Sequence, residues 1–264
     1  MDLNLSGKTA LVSGSTAGIG LAIASELART GATVVVNGRT EERVAAALKI
    51  ILAETPAAHL RGVAADLGTA AGCAALVERV PHVDVLVNNL GIFEPKPFDQ
   101  ITDEDWVRFY EVNVLSGVRL SRAYLPAMRT QKWGRIVFIS SESAQQIPAE
   151  MIHYGMTKTA QLAVARGLAE TTTATAITVN SILVGPTASE GVQEFVGKLA
   201  RQNGATPEEF EREFFRTARP SSLLQRFILP SEVAALVTFV CSPAASAVNG
   251  AALRVDGGVV RSIL

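Results

Sequence analysis

Short apolar runs alternate with amphipathic stretches along most of the chain. Residues 8–13 (KTALVS) are apolar, partly β-branched and followed by glycines, which is typical of a buried strand. The next stretch carries apolar residues among alanines and ends at Gly31, which indicates a helix. Further strands are predicted at 32–37, 61–66, 83–88, 135–140 and 176–183, with helices at 40–54, 69–80, 102–129 and 152–173.

The predicted strands are apolar on both faces, and helices separate them. This pattern predicts a parallel sheet that is covered on both sides. The expected fold is α/β, doubly wound and Rossmann-like. The sequence shows no internal repeat, no low-complexity segment and no linker, so we expect one domain over residues 1–264.

The region from about 188 to 228 interrupts this alternation. Charged residues surround its five phenylalanines, which are Phe195, Phe210, Phe214, Phe215 and Phe227. Thr206-Pro207-Glu208-Glu209 is typical of a helix start, and we expect two amphipathic helices here. The aromatic side chains belong either to the core or to a mobile lid, because the insertion follows the carboxyl end of a strand. A helix at 231–241 and a strand at 251–256 follow.

Composition narrows the class of protein. Hydrophobic residues make up 48% of the 264 residues and charged residues 19%, which excludes a highly charged disordered chain. Lys+Arg total 24 and Asp+Glu 25, so we expect no basic surface for nucleic acid. The two cysteines and three histidines lack metal-ligand spacing. With no signal-peptide pattern and no run typical of a membrane span, we expect a cytoplasmic protein.

A glycine-rich loop lies between the first predicted strand and the first predicted helix. Its spacing is G-x-x-x-G-x-G, and its candidate cofactor-binding residues are Gly14, Ser15, Thr16, Gly18, Ile19 and Gly20. Glycines let the backbone approach a pyrophosphate, and the helix N-terminus presents free N–H groups to it. Many glycine turns bind nothing, but this position in an α/β chain favours a nucleotide.

The second predicted strand ends Val36-Asn37-Gly38-Arg39, without the acidic residue that usually holds the ribose of NAD. Gly38 leaves room there, and Arg39 can pair with a 2′-phosphate, which favours NADP over NAD. A solvated surface arginine is the alternative. Asp66, after the third strand, is a candidate acceptor for the adenine amino group or a simple turn former.

Tyr154 and Lys158 have the i, i+4 spacing that places two side chains on one face of a helix. A nearby ammonium is expected to lower the pKa of a phenol from its ordinary value of about 10, which makes it a usable acid or base. Ser141 follows a predicted strand, at the edge where ligands bind, so its hydroxyl can hold a carbonyl oxygen. Ser140 is the adjacent alternative.

Together these features resemble the short-chain dehydrogenase/reductase family over nearly the whole chain. The matching motifs are the loop 14–20, Asn88-Asn89-Leu90-Gly91, Asn113, and Ser141 with Tyr154-Gly155-Met156-Thr157-Lys158. The resemblance implies a catalytic set of Asn113, Ser141, Tyr154 and Lys158, in which Asn113 positions a water and Lys158 also holds the nicotinamide ribose. It implies further cofactor contacts at Leu67, Asn89, Gly91, Gly185, Thr187 and Ser189.

Two residues depart from the family pattern. Leu90 replaces the usual alanine and is expected to crowd the adenosine side slightly. Val184-Gly185 stands where the family usually has Pro-Gly, so we expect a looser turn there.

Other polar and apolar residues between Ser141 and Tyr154 are candidates for a pocket wall or for a solvated loop. They are Glu142, Gln145, Ile147, Glu150 and Met151. His153 is expected either at the pocket mouth or exposed at the surface. In this family the region from Pro230 onward commonly forms subunit interfaces, so we expect a homodimer or homotetramer.

The resemblance implies an NAD(P)-dependent oxidoreductase that interconverts a ketone and a secondary alcohol by hydride transfer, and Arg39 predicts a preference for NADP. A 3-oxoacyl-thioester reductase is one substrate hypothesis. An NAD-dependent alcohol, polyol, sugar or steroid dehydrogenase is the alternative. A nucleotide-sensing protein without catalysis is the rival class, and the Ser141, Tyr154 and Lys158 set argues against it.

Overall fold

Seven parallel strands form the sheet in the computed structural model of the chain, which describes residues 2–190 and 206–263. In chain order they are β1 (Thr9–Val12), β2 (Thr33–Gly38), β3 (His59–Ala64), β4 (Val85–Asn88), β5 (Trp133–Ser141), β6 (Ala176–Val184) and β7 (Ala252–Val255). Their order across the sheet is β3-β2-β1-β4-β5-β6-β7, so the progression reverses between β1 and β4. Parallel sheets bind ligands outside the carboxyl ends of their strands at such a reversal.

Helices cover both faces of the sheet. The described α-helices are α1 (Gly18–Arg29), α2 (Glu41–Glu54), α3 (Ala70–Arg79), α4 (Asp103–Tyr110), α5 (Ser116–Gln131), α6 (Ile152–Glu170), α7 (Pro207–Thr217) and α8 (Pro230–Cys241). Along β1, Ala10 and Val12 join one core cluster with α1 and α8, while Leu11 joins another with α3, α5 and α6. The alternation of strand side chains between two covered faces confirms the predicted doubly wound α/β fold.

The predicted helix at 102–129 differs most from the structure. It consists of α4, a π-helical turn at Glu111–Leu115, and α5. A π-turn leaves a backbone carbonyl free of its usual helical partner, and here Gln161 Nε2 donates to Asn113 O at 2.6 Å. The widened turn therefore attaches Asn113 to α6.

The segment between β6 and α8 leaves the sheet, and its two ends pair with each other at an isolated bridge between Thr187 and Ile228. Ala188 N donates to Ile228 O at 2.8 Å, and Ile228 N donates to Pro186 O at 2.9 Å. One of the two expected amphipathic helices is α7, which starts as predicted with Thr206 as its cap and Pro207 in its first turn. Phe195, with the rest of 191–205, lies outside the described residues.

None of the described helices has the length and apolar character that a membrane crossing needs. Residues 2–190 and 206–263 contain no group of three or more His, Cys, Asp or Glu side chains able to hold a metal ion. Cys73 and Cys241 are both buried as free thiols. The subunit interfaces expected from Pro230 onward stay a prediction.

Two helical glycines test how closely the elements pack. A Cβ at Gly72, in α3, would overlap the carbonyl oxygen of Asp66, whereas a Cβ at Gly167, in α6, would meet nothing within 4 Å. Alanine favours a helix over glycine by about 1 kcal/mol. We expect Gly167→Ala to raise the free energy of unfolding by about 0.5–1 kcal/mol. Gly72→Ala should lower it by about 1–3 kcal/mol, since the overlap outweighs the propensity.

Urea unfolding followed by circular dichroism measures both variants. A Gly72→Ala protein as stable as the wild type would contradict the close approach of α3 to Asp66.

Candidate active site

A cavity of about 750 Å³ opens at the carboxyl edge of the sheet. The predicted site residues along its wall are Gly18, Ile19, Gly20, Asn89, Gly91, Ser141, Tyr154, Lys158, Gly185, Thr187 and Ser189. The other predicted site residues lie outside this lining and are Gly14, Ser15, Thr16, Arg39, Asp66, Leu67 and Asn113. The cavity thus connects the glycine loop with the Ser141, Tyr154 and Lys158 group.

The glycine loop is as tight as its sequence predicts. Gly14 and Gly18 have φ of +62° and +53°, a region that L side chains rarely adopt. A Cβ at Gly20 would overlap the carbonyl oxygen of Gly14. Asn89 Nδ2 donates to the carbonyl oxygens of Ser13 and Gly14, at 3.0 Å each, and so fixes the loop from β4.

Residue types at this loop fit the pyrophosphate of a dinucleotide. Ala17 precedes α1 without a side-chain hydrogen bond to the helix, so no side chain caps the N–H groups of its first turn. Free N–H groups and the positive end of the helix dipole attract phosphate oxygens. Gly18, half-buried on the cavity wall, leaves its backbone accessible.

The structure changes the interpretation of Gly38 and Arg39. The space beside Gly38 does not stay open, because the Thr16 methyl group lies where a Cβ would be. Arg39 is exposed and has no ion-pair partner in the described part of the chain. Arg43, one helical turn later, lines the cavity with its guanidinium 4.0 Å from Glu190 Oε2. Sequence reasoning missed Arg43, which lies in the first turn of α2, whereas Arg39 precedes the helix and its cap Thr40.

Contacts with the protein itself account for Asp66, Leu67 and Leu90, which form a turn or pack in the core. Asp66 is exposed and its Oδ1 accepts a hydrogen bond from Gly68 N at 3.0 Å, which is the arrangement of a turn former. Leu67 is buried in the core cluster beneath α3. Leu90 packs against the same cluster, and its Cα would lie 3.4 Å from a Cβ at Gly14, so its bulk is accommodated within the core.

Hydrogen bonds join the end of β5 to α6 around the predicted catalytic group. Ser140 Oγ donates to Lys158 O at 2.9 Å, and Lys158 Nζ donates to Ile139 O at 2.9 Å. Lys158 Nζ lies 5.6 Å from the ring centre of Tyr154. Ser141 ends β5 with its hydroxyl on the cavity wall, whereas the Ser140 hydroxyl is committed to the helix.

The local electrostatics differ from the expectation that Lys158 lowers the pKa of Tyr154. Burial raises the pKa of the Tyr154 phenol, and the carboxylate of Glu142 raises it further. Burial lowers the pKa of Lys158 to about 8, against a smaller opposite effect of Glu142. The expected direction is therefore wrong for this structure, because desolvation and Glu142 dominate at the phenol.

Asn113 lies behind the cavity wall with its amide fully bonded. Its Oδ1 accepts from Ile92 N at 2.8 Å, and its Nδ2 donates to Ile92 O and Thr157 Oγ1 at 3.0 Å each. A Cβ at Gly91 would lie 3.4 Å from Lys158 Nζ and 3.5 Å from Asn113 Oδ1. Gly91 thus lets the two side chains approach the same point, while the water relay at Asn113 stays a prediction.

A buried ion pair stands beside Ser141. Ser141 Oγ donates to Glu142 Oε2, and Arg219 Nε donates to Glu142 Oε1 at 3.1 Å. Arg219 Nη1 also reaches Glu150 Oε1 at 3.4 Å. The side chains of Arg219 and Glu142 are only 10% and 6% exposed. Sequence reasoning missed Arg219, which lies 77 residues from its partner and follows no motif.

Aromatic and apolar side chains surround this ion pair. Met151, Phe93, Phe210, Phe214 and Phe227 line the cavity, as do Glu142 and Glu150. Phe214 stacks on Phe227 with ring centres 5.2 Å apart, and the neighbouring Phe215 is buried. The phenylalanines of this segment therefore serve both the core and the cavity. Gln145 and Ile147 are exposed and lie outside the lining, which agrees with the solvated-loop alternative.

Both expectations for His153 are wrong. Its side chain is neither at the cavity nor at the surface but fully buried. Its ring centre lies 4.0 Å from that of Phe109 and 6.0 Å from that of Trp106. The packing of α6 against α4 encloses it, and both ring nitrogens lack a hydrogen-bond partner among the described residues.

The turn after β6 is firm despite its missing proline. Val184 pairs with Ser141 on one side and Val255 on the other. Gly185 N donates to Val255 O at 2.9 Å, and a Cβ at Gly185 would lie 2.7 Å from Asp256 O. The predicted loosening is wrong, because strand pairing on both sides fixes the backbone where the family uses proline.

A sequence profile of the short chain dehydrogenase family matches residues 8–199. The chain belongs to this family. It is accordingly an NAD(P)-dependent oxidoreductase that acts on alcohol and ketone groups. It is 51% identical over 263 residues to the uncharacterized oxidoreductase YvaG of Bacillus subtilis (strain 168), with full coverage of both chains.

Two solved structures of this family are similar over essentially the whole chain. L-sorbose reductase from Gluconobacter frateurii, complexed with NADPH and L-sorbose, has a TM-score of 0.94 and 31% identity, with 100% of both chains covered. A 7α-hydroxysteroid dehydrogenase complexed with NADH has a TM-score of 0.85 and 30% identity, covering 100% of this chain and 98% of that one.

The burial of His153 predicts a pH dependence of stability. Burial lowers its pKa from the ordinary 6.5, so the unfolded chain binds a proton at higher pH than the folded chain. The free energy of unfolding should therefore fall as the pH drops below about 6.5. His153→Phe should reduce this loss and raise stability at neutral pH by about 1 kcal/mol, since two unpartnered nitrogens are removed.

Urea unfolding between pH 5 and 8 measures the effect. The exposed His82, changed to Gln, is the matched control and should keep the wild-type pH dependence. Equal slopes for wild type and His153→Phe would show that His153 is not the group responsible.

Proposed function

We propose that this protein is an NADP-preferring oxidoreductase that reduces a ketone to a secondary alcohol. The observation that carries the proposal is the meeting of Ser141, Tyr154 and Lys158 on the wall of a cavity that also reaches the glycine loop. A nucleotide-sensing protein would need the loop but not the three polar side chains. The NADPH and L-sorbose in the complex of the similar reductase support the same assignment.

The chain offers residues for each part of the cofactor. The loop 14–20 and the N-terminus of α1 would hold the pyrophosphate. Arg39, which follows β2, and Arg43, on the cavity wall, would pair with a 2′-phosphate. Asn89, Gly91 and the segment from Gly185 to Ser189 would contact the ribose and nicotinamide. Asp66 and Leu67, which follow β3, would lie beside the adenine.

A bound nicotinamide supplies the hydride for reduction. Tyr154 then donates its proton to the carbonyl oxygen, and the hydroxyl of Ser141 holds that oxygen in place. Lys158, fixed by Ile139 O, would hold the ribose and carry positive charge to the site below a pH of about 8. Asn113, whose Oδ1 lies near Gly91, would position the water that returns the proton.

The raised pKa of Tyr154 fits its proposed role as a proton donor. A phenol that keeps its proton at neutral pH is ready to donate it, whereas oxidation of an alcohol needs the phenolate. An NAD-dependent alcohol, polyol or steroid dehydrogenase is the second candidate. The observation that favours it is that Arg39 is exposed and has no ion-pair partner among the described residues, as a solvated surface arginine would. The NADH complex of the similar steroid dehydrogenase agrees with it.

Cofactor preference is measured by titrating the protein with NADPH and NADH while following nicotinamide fluorescence. We expect NADPH to bind at least about tenfold tighter, a difference of about 1.4 kcal/mol. Arg39→Ala and Arg43→Ala should each weaken NADPH binding and leave NADH binding unchanged. Lys49→Ala, which removes a charge from the exposed side of α2, is the control. NADH binding as tight as NADPH binding would favour the NAD-dependent candidate.

Catalytic roles are tested on a panel of ketones with NADPH. Tyr154→Phe should bind NADPH as the wild type does and lower kcat by about 10²–10⁴-fold. Ser141→Ala should lower kcat by about 10²-fold, because it loses a donor to the carbonyl oxygen. Ser140→Ala, its neighbour, should instead lower stability by about 1 kcal/mol through the lost bond to Lys158 O. A wild-type protein that binds NADPH but reduces no ketone would favour the sensing protein.

A further inference from the structure

The carboxylate of Glu142 lies beside Ser141, the residue that would hold the reacting oxygen. Ser141 Oγ donates to Glu142 Oε2, and Glu142 lies on the cavity wall. A serine hydroxyl has one hydrogen. In this structure that hydrogen points to a carboxylate, so it is not available to a carbonyl oxygen.

Arg219 fixes Glu142 in this position. Arg219 Nε donates to Glu142 Oε1, the other carboxylate oxygen, at 3.1 Å. Arg219 Nη1 donates to Glu150 Oε1 at 3.4 Å. Phe214 lies under the guanidinium, whose Cζ is 5.9 Å from the ring centre. If Glu142 turned away from Ser141, the buried Arg219 would keep Glu150 as its only ion-pair partner among the described residues.

We propose that Glu142, held by Arg219, selects substrates that carry a hydroxyl on the carbon next to the reacting carbonyl, as polyhydroxylated ketones do. Such a hydroxyl donates to Glu142 Oε2 and replaces the hydrogen bond from Ser141. The Ser141 hydrogen then becomes free for the carbonyl oxygen. This assignment rests on the proposed function, since it names the substrate class of the same site.

Other substrate classes fit this wall less well. An acyl chain or a steroid ring placed against Glu142 would remove water from the carboxylate without returning a donor. Releasing Ser141 would then leave a carboxylate oxygen unsatisfied. A substrate carboxylate would meet Arg219 already paired with two glutamates. The phenylalanines nearby do not contradict a sugar-like substrate, because their rings can pack against its C–H faces.

The test compares two ketones that differ in one group, 1-hydroxy-2-butanone and 3-pentanone, in which a methyl group replaces the hydroxyl. With NADPH, we expect the wild type to reduce the hydroxyketone with a kcat/KM at least about tenfold higher, the effect of one charge-assisted hydrogen bond. Glu142→Ala should bring the ratio to within about twofold. Glu142→Gln keeps an acceptor oxygen and should give an intermediate ratio.

Gln145→Ala, an exposed residue of the same loop, is the matched control and should keep the wild-type ratio. Circular dichroism and NADPH binding establish that each variant is folded. Equal reduction of both ketones by the wild type, or an unchanged ratio in Glu142→Ala, would overturn the inference and leave the proposed function intact. Reduction of neither ketone, nor of any ketone in the wider panel, would overturn both.

Discussion

The attachment of α6 to the carboxyl end of β5 is the constraint on which the site depends. Two hydrogen bonds, from Ser140 Oγ to Lys158 O and from Lys158 Nζ to Ile139 O, set the height of the helix against the strand. Ser141 then follows on the strand and Tyr154 precedes on the helix, so the same two hydrogen bonds also fix the separation of their backbones. The close approach costs the desolvation of an ammonium, which appears as the lowered pKa of Lys158.

Glycines set the spacing between elements at the end of the cavity that holds the glycine loop. Gly20 allows α1 to begin against Gly14, and Gly91 allows Asn113 and Lys158 to approach one point. At each position a side chain would overlap or crowd groups that belong to a different element. The glycine motif is therefore a requirement of packing between β1, β4 and α1 as much as of contact with a ligand.

The sequence predicted what depends on local pattern. Strand and helix positions, the cap at Thr206 and the Tyr154–Lys158 spacing follow from periodicity and side-chain chemistry. The sequence could not predict the features that depend on contacts between residues far apart along the chain. His153 is buried because α4 covers α6, Val184 is fixed because strands flank it on both sides, and Arg219 reaches Glu142 across 77 residues. The π-turn at Asn113 likewise has no recognisable sequence periodicity, because its free carbonyl accepts a hydrogen bond from Gln161 of α6.

A contribution to the stability of the fold does not explain why the Glu142–Arg219 pair is buried. Burying two charges costs several kcal/mol, and apolar residues of similar size often serve a core equally well. Its position explains it better, because the same carboxylate bonds to Ser141 and raises the pKa of Tyr154. A substrate hydroxyl that donates to Glu142 would spread its negative charge and so weaken its hold on the Tyr154 proton. Recognition of that hydroxyl and release of the proton would then be linked through one side chain.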